Sequence, residues 1–192
     1  ADVKQETLET LTRYSARLLR MANDVLQSSR LEHGRVQPNL EPLALTPLVR
    51  QTVGILRKQH RDYVFKINAE AGLPFAMGDL TSVEIVLENL IQNAIHYSPR
   101  GSLITISLRE KDDRVEVQVK DQGQGIPADQ LERIFLRFHR GPDKHTQRRN
   151  GFGLGLYIAK MLVEAQGGVI RAESKPGHGS SLYFDLKIAS AS

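Results

Sequence analysis

A chain of 192 residues has room for one ordinary domain, or one domain with a helical appendage, and is too short for a multidomain machine. Hydrophobic residues at 40% and charged residues at 25% are ordinary globular usage and exclude a wholly disordered chain, while zero cysteines exclude a disulfide framework, a thiolate zinc site and a cysteine nucleophile. The net charge of +4 is concentrated, because residues 133–149 hold Arg133, Arg137, Arg140, Lys144, Arg148 and Arg149 against Asp143 alone and the rest of the chain sums to −1. Such a cluster reads as one local anion site or as a solvated basic loop, and differs from the spread basic face of a duplex-DNA binder. No nucleic-acid partner is expected. No apolar run approaches the roughly 20 residues that span a bilayer, and no membrane contact by this region is expected.

In chain order, residues 3–33 contain no Pro or Gly, and Leu11, Tyr14, Leu18, Met21 and Val25 recur at steps of three and four. This predicts a long amphipathic helix ended by Gly34, with Pro38 and Pro42 beyond it. At 1.5 Å per residue it would span roughly 45 Å, more than a small domain needs, so it is expected to project and pack in a bundle. The alternative is a helix folded back on its own domain. A helix follows near 47–59, then alternation at Tyr63, Phe65 and Ile67 predicts a strand. The next helix is expected over about 82–97, with Thr81 and Glu84 spaced as a capping box. Residues 103–108 and 115–119 alternate around a charged turn and read as a hairpin. A Gly-rich turn, a short helix at 128–133, the basic loop, a helix at 154–166 and strands at 169–172 and 181–186 complete the chain. Strands and helices that do not alternate strictly predict α+β, with a mixed or antiparallel sheet covered on one face by helices.

Three segments carry side chains that a core does not need. Between Val83 and Ala94 the apolar residues form a core stripe, and Asn89 and Asn93, four apart, share a different face. Asn is a poor interior helix residue, so the pair faces either solvent or a ligand. The segment Asp121-Gln122-Gly123-Gln124-Gly125-Ile126-Pro127 ends a predicted strand. Its glycines permit close backbone approach and its carboxylate can accept from an amino group; an ordinary turn is the plain alternative. In Gly151-Phe152-Gly153-Leu154-Gly155-Leu156 glycines open a helix whose free N–H groups and dipole favour phosphate. A Rossmann fingerprint fails, because Leu156 stands at the third glycine and no strand precedes. A Walker loop fails too, for want of Gly-Lys-Ser/Thr.

The ordered set NLIQNAIHYSP, DQGQGIP, IFLRFHR, GFGLGL and GHGSSLYF resembles, box for box, the catalytic ATP-binding domain of sensor histidine kinases of two-component systems. The resemblance covers about 45–188, and the leading helix looks like the second helix of the family's dimerisation and histidine-phosphotransfer hairpin. It implies a two-layer α/β sandwich of the histidine-kinase, gyrase and chaperone ATPase type behind a bundle-forming helix, divided as 1–36 hairpin helix, 37–44 linker and 45–192 catalytic domain. It further implies ATP and Mg²⁺ as cofactors, with Asn93 on the metal, Asn89 at the phosphates and Tyr97 lining the adenine pocket. Asp121 would accept from the adenine amino group, which guanine replaces with a carbonyl. Gly123, Gly125 and Ile126 would let the backbone approach the base, and Ser180 would support that corner. Gly151, Gly153, Leu154 and Gly155 would sit at the phosphates, with Arg137, Arg140, Lys144, Arg148 and Arg149 as cations, Arg137 and Arg140 beside Asn93 in the catalytic set.

Two departures stand out. His96 occupies a position commonly Lys, which makes one phosphate contact weaker or dependent on pH. None of His33, His60, His96, His139, His145 and His178 lies in the family's phosphoacceptor pattern of His, an acid and a following Pro, so the chain is expected to begin after that box. The implied function is transfer of the ATP γ-phosphoryl to a histidine upstream, for relay to an aspartate of a response regulator, by a homodimer joined through the hairpin and working in the cytoplasm. The alternatives are a superfamily ATPase that drives conformational change and a nucleotide-binding interaction module without kinase activity. The ATPases generally carry a Glu one turn before the metal asparagine to activate water; Asn89 stands there and cannot act as a general base.

Overall fold

A computed structural model describes residues 37–139 and 153–190, and before them the helical positions Ser15, Ala22, Val25, Leu26 and Ser29. Most of the leading apolar stripe, namely Leu11, Tyr14, Leu18 and Met21, lies outside the described residues.

Strand β1 (Glu41–Leu43) opens the described segment and helix α1 (Leu45–Gln59) follows. Then come β2 (Val64–Ala69), β3 (Ala76–Gly78), α2 (Leu80–Tyr97), β4 (Leu103–Lys111) and β5 (Arg114–Lys120). Two short 3₁₀ turns, Ala128–Gln130 and Arg133–Phe135, stand where one short helix was expected. Helix α3 (Gly155–Ala165) and the hairpin β6 (Ile170–Ser174) and β7 (Ser180–Lys187) close the chain. The main sheet runs β2-β4-β5-β7-β6 and is mixed: β2 and β4 are parallel neighbours joined through α2, and the other pairs are antiparallel. The 37–44 segment expected as a linker contributes β1, which pairs with β3 in a separate two-stranded ribbon, Glu41 opposite Gly78.

Period-two alternation divides the sheet cleanly. Ile104, Ile106, Leu108, Val115, Val117, Val119, Leu182, Phe184 and Leu186 are buried on one face, under the apolar sides of the three helices. Val49, Val53, Val86, Leu87, Leu90, Ile91, Ile158 and Val163 supply those sides. The opposite face carries Ser107, Arg109, Glu116, Gln118, Arg171 and Tyr183. There Glu116, 4% exposed, is held by Arg109 Nε at 2.8 Å and Arg171 Nη2 at 2.8 Å, with the Arg171 guanidinium 3.7 Å above the Tyr183 ring. The result is the expected α+β arrangement with helices on one face.

Helix α2 is not capped by the Thr81 and Glu84 box. Asp79 is the N-cap, its side chain accepting from the Ser82 N–H at 2.7 Å, and Thr81 is an exposed residue of the first turn. The sequence placed two good capping types close together, and the turn out of β3 decides which one faces the free N–H groups. At the other end Ser98 N–H bonds Ala94 C=O and Pro99 prevents continuation.

Candidate nucleotide site

The functional side chains of α2 follow from its core stripe. Burying Val86, Leu90 and Ala94 turns Asn89, Asn93 and Tyr97, spaced by four, along one half-buried side. Eight residues at 1.5 Å each make this a stripe about 12 Å long. At its start lies α3: a Cβ on Gly155 would meet Asn89 Oδ1 at 2.7 Å, so the glycine lets the two helices close around that amide. At its end lies the 121–125 loop, where a Cβ on Gly123 would stand 2.7 Å from the Tyr97 carbonyl oxygen. The next residue round the helix, His96, turns its ring back to its own helix, Nδ1 3.2 Å from the Gln92 carbonyl.

Asp121 is 2% exposed at the end of β5. Its Oδ1 accepts from Gly123 N–H at 2.7 Å and from Ser180 N–H at 3.2 Å. Burial still outweighs these bonds and pushes its pKa above the ordinary aspartate value. Gly125 has φ +76° and sits against the β6–β7 turn so closely that a Cβ would lie 2.2 Å from the Lys175 carbonyl oxygen. Ile126 N–H donates to Ser174 Oγ at 2.8 Å, and that hydroxyl lies 2.7 Å from the Gly179 carbonyl and 3.1 Å from Ser180 Oγ. Ser174 was missed in the sequence reading. It lies on a strand with no motif around it, and only the pairing of β6 with β7 brings it beneath the loop.

Gly153 has φ +70°, its carbonyl accepts Phe138 N–H at 2.9 Å, and a Cβ would stand 2.5 Å from the His139 carbonyl oxygen. Phe138, at φ 60°, is itself left-handed, so the segments flanking 140–152 are pinched together at this point. Arg137 is exposed, its guanidinium 4.8 Å from the Phe138 ring centroid. Leu154 is 1% exposed, and its side chain belongs to the core; only its backbone can face a ligand. Arg140, Lys144, Arg148, Arg149 and Gly151 lie outside the described residues.

The structure thus brings Gly155 to Asn89, Gly123 to Tyr97, and Asp121 to Ser180, all along one side of α2. Two open depressions of about 430 and 460 Å³ lie elsewhere, one on the solvent face of the sheet around Arg109 and Glu116, the other around Lys58, His60 and Arg100. Among the described residues no three His, Cys, Asp or Glu side chains converge as a metal site. A divalent ion at Asn93 would therefore take most of its ligands from water and a polyphosphate, which suits the hard, well-hydrated Mg²⁺. Among the described residues, too, no helix is long and apolar enough to cross a membrane.

Residues 78–190 match the family described as histidine kinase-, DNA gyrase B-, and HSP90-like ATPase. The sensor-like histidine kinase SenX3 of Mycobacterium tuberculosis is 35% identical over 187 residues, covering 93% of this chain and 45% of SenX3. The sensor histidine kinase WalK of Bacillus subtilis is 33% identical over 190 residues, 96% of this chain and 31% of WalK. The chain therefore spans less than half the length of these curated relatives. Among solved structures, full-length ShkA in complex with AMPPNP superposes with a TM-score of 0.84 at 26% identity, covering 98% of this chain and 40% of that one. The mycobacterial sensor histidine kinase MprB gives 0.68 at 26% identity over 79% of this chain and 99% of its own. A family match over more than half of the residues, with sensor kinases alike in sequence and in fold, means that the chain belongs to the histidine kinase-, DNA gyrase B-, and HSP90-like ATPase family, in its sensor histidine kinase branch.

Proposed function

We propose that the chain binds ATP with Mg²⁺ along the α2 stripe, adenine at Asp121 and Tyr97, phosphates toward Asn89, Gly153 and Gly155. In the complete protein it transfers the γ-phosphoryl to a histidine on the helical hairpin, leaving ADP, for relay to an aspartate of a response regulator receiver domain. The observation that carries this reading is the continuity of the stripe: a buried carboxylate fixed by backbone N–H groups at one end, and helix-opening glycines at the other.

Each residue then has a physical task. Asp121 accepts from the adenine amino group and meets a carbonyl in guanine, so the site selects adenine. Asn93 offers Mg²⁺ one neutral oxygen, and Asn89 donates or accepts at the phosphates. Arg137, with Arg140, Lys144, Arg148 and Arg149, neutralises the triphosphate, and positioning with charge neutralisation is most of what phosphoryl transfer demands of a protein. Asn89 offers no general base for water, which favours transfer to histidine over hydrolysis. Homodimerisation through the hairpin and a cytoplasmic setting, where ATP is supplied, complete the reading.

The test is a titration of the 192-residue chain with ATP and GTP, with and without Mg²⁺. Tight Mg²⁺-dependent ATP binding and GTP binding weaker by about tenfold or more, the equivalent of one lost hydrogen bond, are expected. Equal affinity for the two nucleotides would remove Asp121 from the base, and no binding of either would leave an interaction module.

A further inference from the structure

Asp79 has a second role that its capping of α2 does not require. Its Oδ1 caps α2 through Ser82 N–H at 2.7 Å, while Oδ2 accepts from Asn39 N–H at 3.2 Å, forty residues earlier in the chain. Its own N–H donates to Gln166 Oε1 at 2.7 Å, and Gln166, 6% exposed just beyond α3, is fixed in turn by Nε2 on the Leu162 carbonyl at 2.8 Å. Asn39 stands in the 37–40 strap that leads from the amino-terminal helical positions into β1, and Asn39 Nδ2 donates to Glu41 Oε1 at 2.6 Å. One aspartate therefore ties together the strap, the start of α2 and the end of α3. The same two helices meet again where Asn89 Oδ1 abuts Gly155. They form a closed circuit, pinned at the Asp79 node and at the phosphate end of the proposed site.

We propose that Asp79 is a positioning residue that couples the strap to the nucleotide site: the strap's hold on Oδ2 and the spacing of α2 and α3 at Asn89 and Gly155 are set by one hydrogen-bonded node. Binding free energies are linked reciprocally, so a ligand that draws α2 and α3 together at Asn89 and Gly155 steadies the node and, through it, the strap. A strap displaced from outside weakens nucleotide binding by the same factor. This rests on the ATP-binding reading above, and the test separates the two.

The test uses the 192-residue chain, with amide exchange of residues 37–43 measured with and without Mg²⁺-ATP at saturation, beside a direct titration of nucleotide affinity. In the parent, ATP is expected to slow exchange in this segment by about fivefold or more, the lower end of typical coupling. Asp79→Asn keeps a good N-cap but presents an amide that cannot accept on both sides, and Asn39→Pro deletes the strap donor while leaving the cap untouched. Each is expected to abolish the response of the strap and to weaken nucleotide binding by the same factor, and the double variant to weaken it no further than either, since both break one bond. Asp79→Ser, another good cap with a single oxygen, serves if the asparagine variant does not fold. A parent strap indifferent to bound ATP, a response that survives in a folded variant, or additive effects in the double variant would overturn the coupling alone. No ATP binding by the parent would overturn both readings.

Discussion

Asp121 carries the sharpest demand made on any single residue. Its carboxylate is buried, and Gly123 and Ser180 hold Oδ1 with backbone N–H groups, so an amide can replace it without losing the loop. Asp121→Asn is therefore expected to melt within a few degrees of the parent and to bind ATP about tenfold to a hundredfold more weakly, since the amide turns its NH₂ toward the adenine amino group. Titration of a fluorescent ATP analogue reads the loss. Burial, the largest influence, raises this carboxyl above the value of 3.8 that an unperturbed aspartate has. The folded state therefore binds its proton more tightly than the unfolded chain does. On acidification through that raised value the stability contribution of the group improves while the charge offered to adenine disappears. ATP affinity of the parent should fall toward that of Asp121→Asn at a pH above 3.8, and a gap between the two that stays constant down to that pH would contradict the assignment.

At the scale of elements, the proposed site depends on how closely α2 and α3 approach. Gly155 opens α3 with its Cα against Asn89, and an added methyl would meet a side-chain oxygen, which can rotate away, rather than fixed backbone. Alanine also favours the helix. Gly155→Ala should thus leave stability within about 1 kcal/mol of the parent while moving Asn89 and lowering nucleotide affinity by about tenfold, the equivalent of one hydrogen bond. Melting temperature and affinity measured on the same preparation separate these effects. A parent-like affinity would show that Asn89 does not touch the phosphates.

The whole molecule is braced across the sheet by Glu116, which faces away from the helices and pairs with Arg109 on β4 and Arg171 on β6. Burial alone would raise this carboxyl, yet Arg171 and Arg109 hold it below the ordinary glutamate value of 4.5. The stability it contributes is present above that value and is lost as pH falls through the lower, folded one. Glu116→Ala leaves two arginines without their shared anion and is expected to cost about 2 kcal/mol, lowering Tm by roughly 4–8 °C, with a shallower acid-unfolding profile than the parent. Coincident acid profiles would remove Glu116 as a brace. A further expectation belongs to the chain as a whole. None of its six histidines lies in an acceptor pattern, so incubation with γ-labelled ATP should yield no acid-labile, alkali-stable phosphoryl adduct even though nucleotide binds. Stoichiometric labelling mapped to any of the six would show the acceptor to be within this sequence.

What was legible without coordinates was whatever is local in sequence. The 3.6-residue period of Val86, Leu90 and Ala94 announced α2 and placed Asn89 and Asn93 on one side of it. Alternation announced the β4–β5 hairpin, and glycine spacing marked the two loops. The resemblance of five ordered boxes carried the family, which the comparisons bear out. Only the tertiary structure decided what depends on residues far apart. The pairing of β1 with β3, and of β2 with β4 in parallel, joins short segments whose own patterns do not name a partner. The cap of α2 fell to Asp79 rather than to Thr81, because the turn from β3 aims one oxygen at the helix and the other at Asn39. Ser174 entered the Asp121 corner only through the β6–β7 hairpin. Periodicity records which side of an element is buried; the partner is chosen by the packing of elements distant in the chain, and composition and spacing carry no record of it.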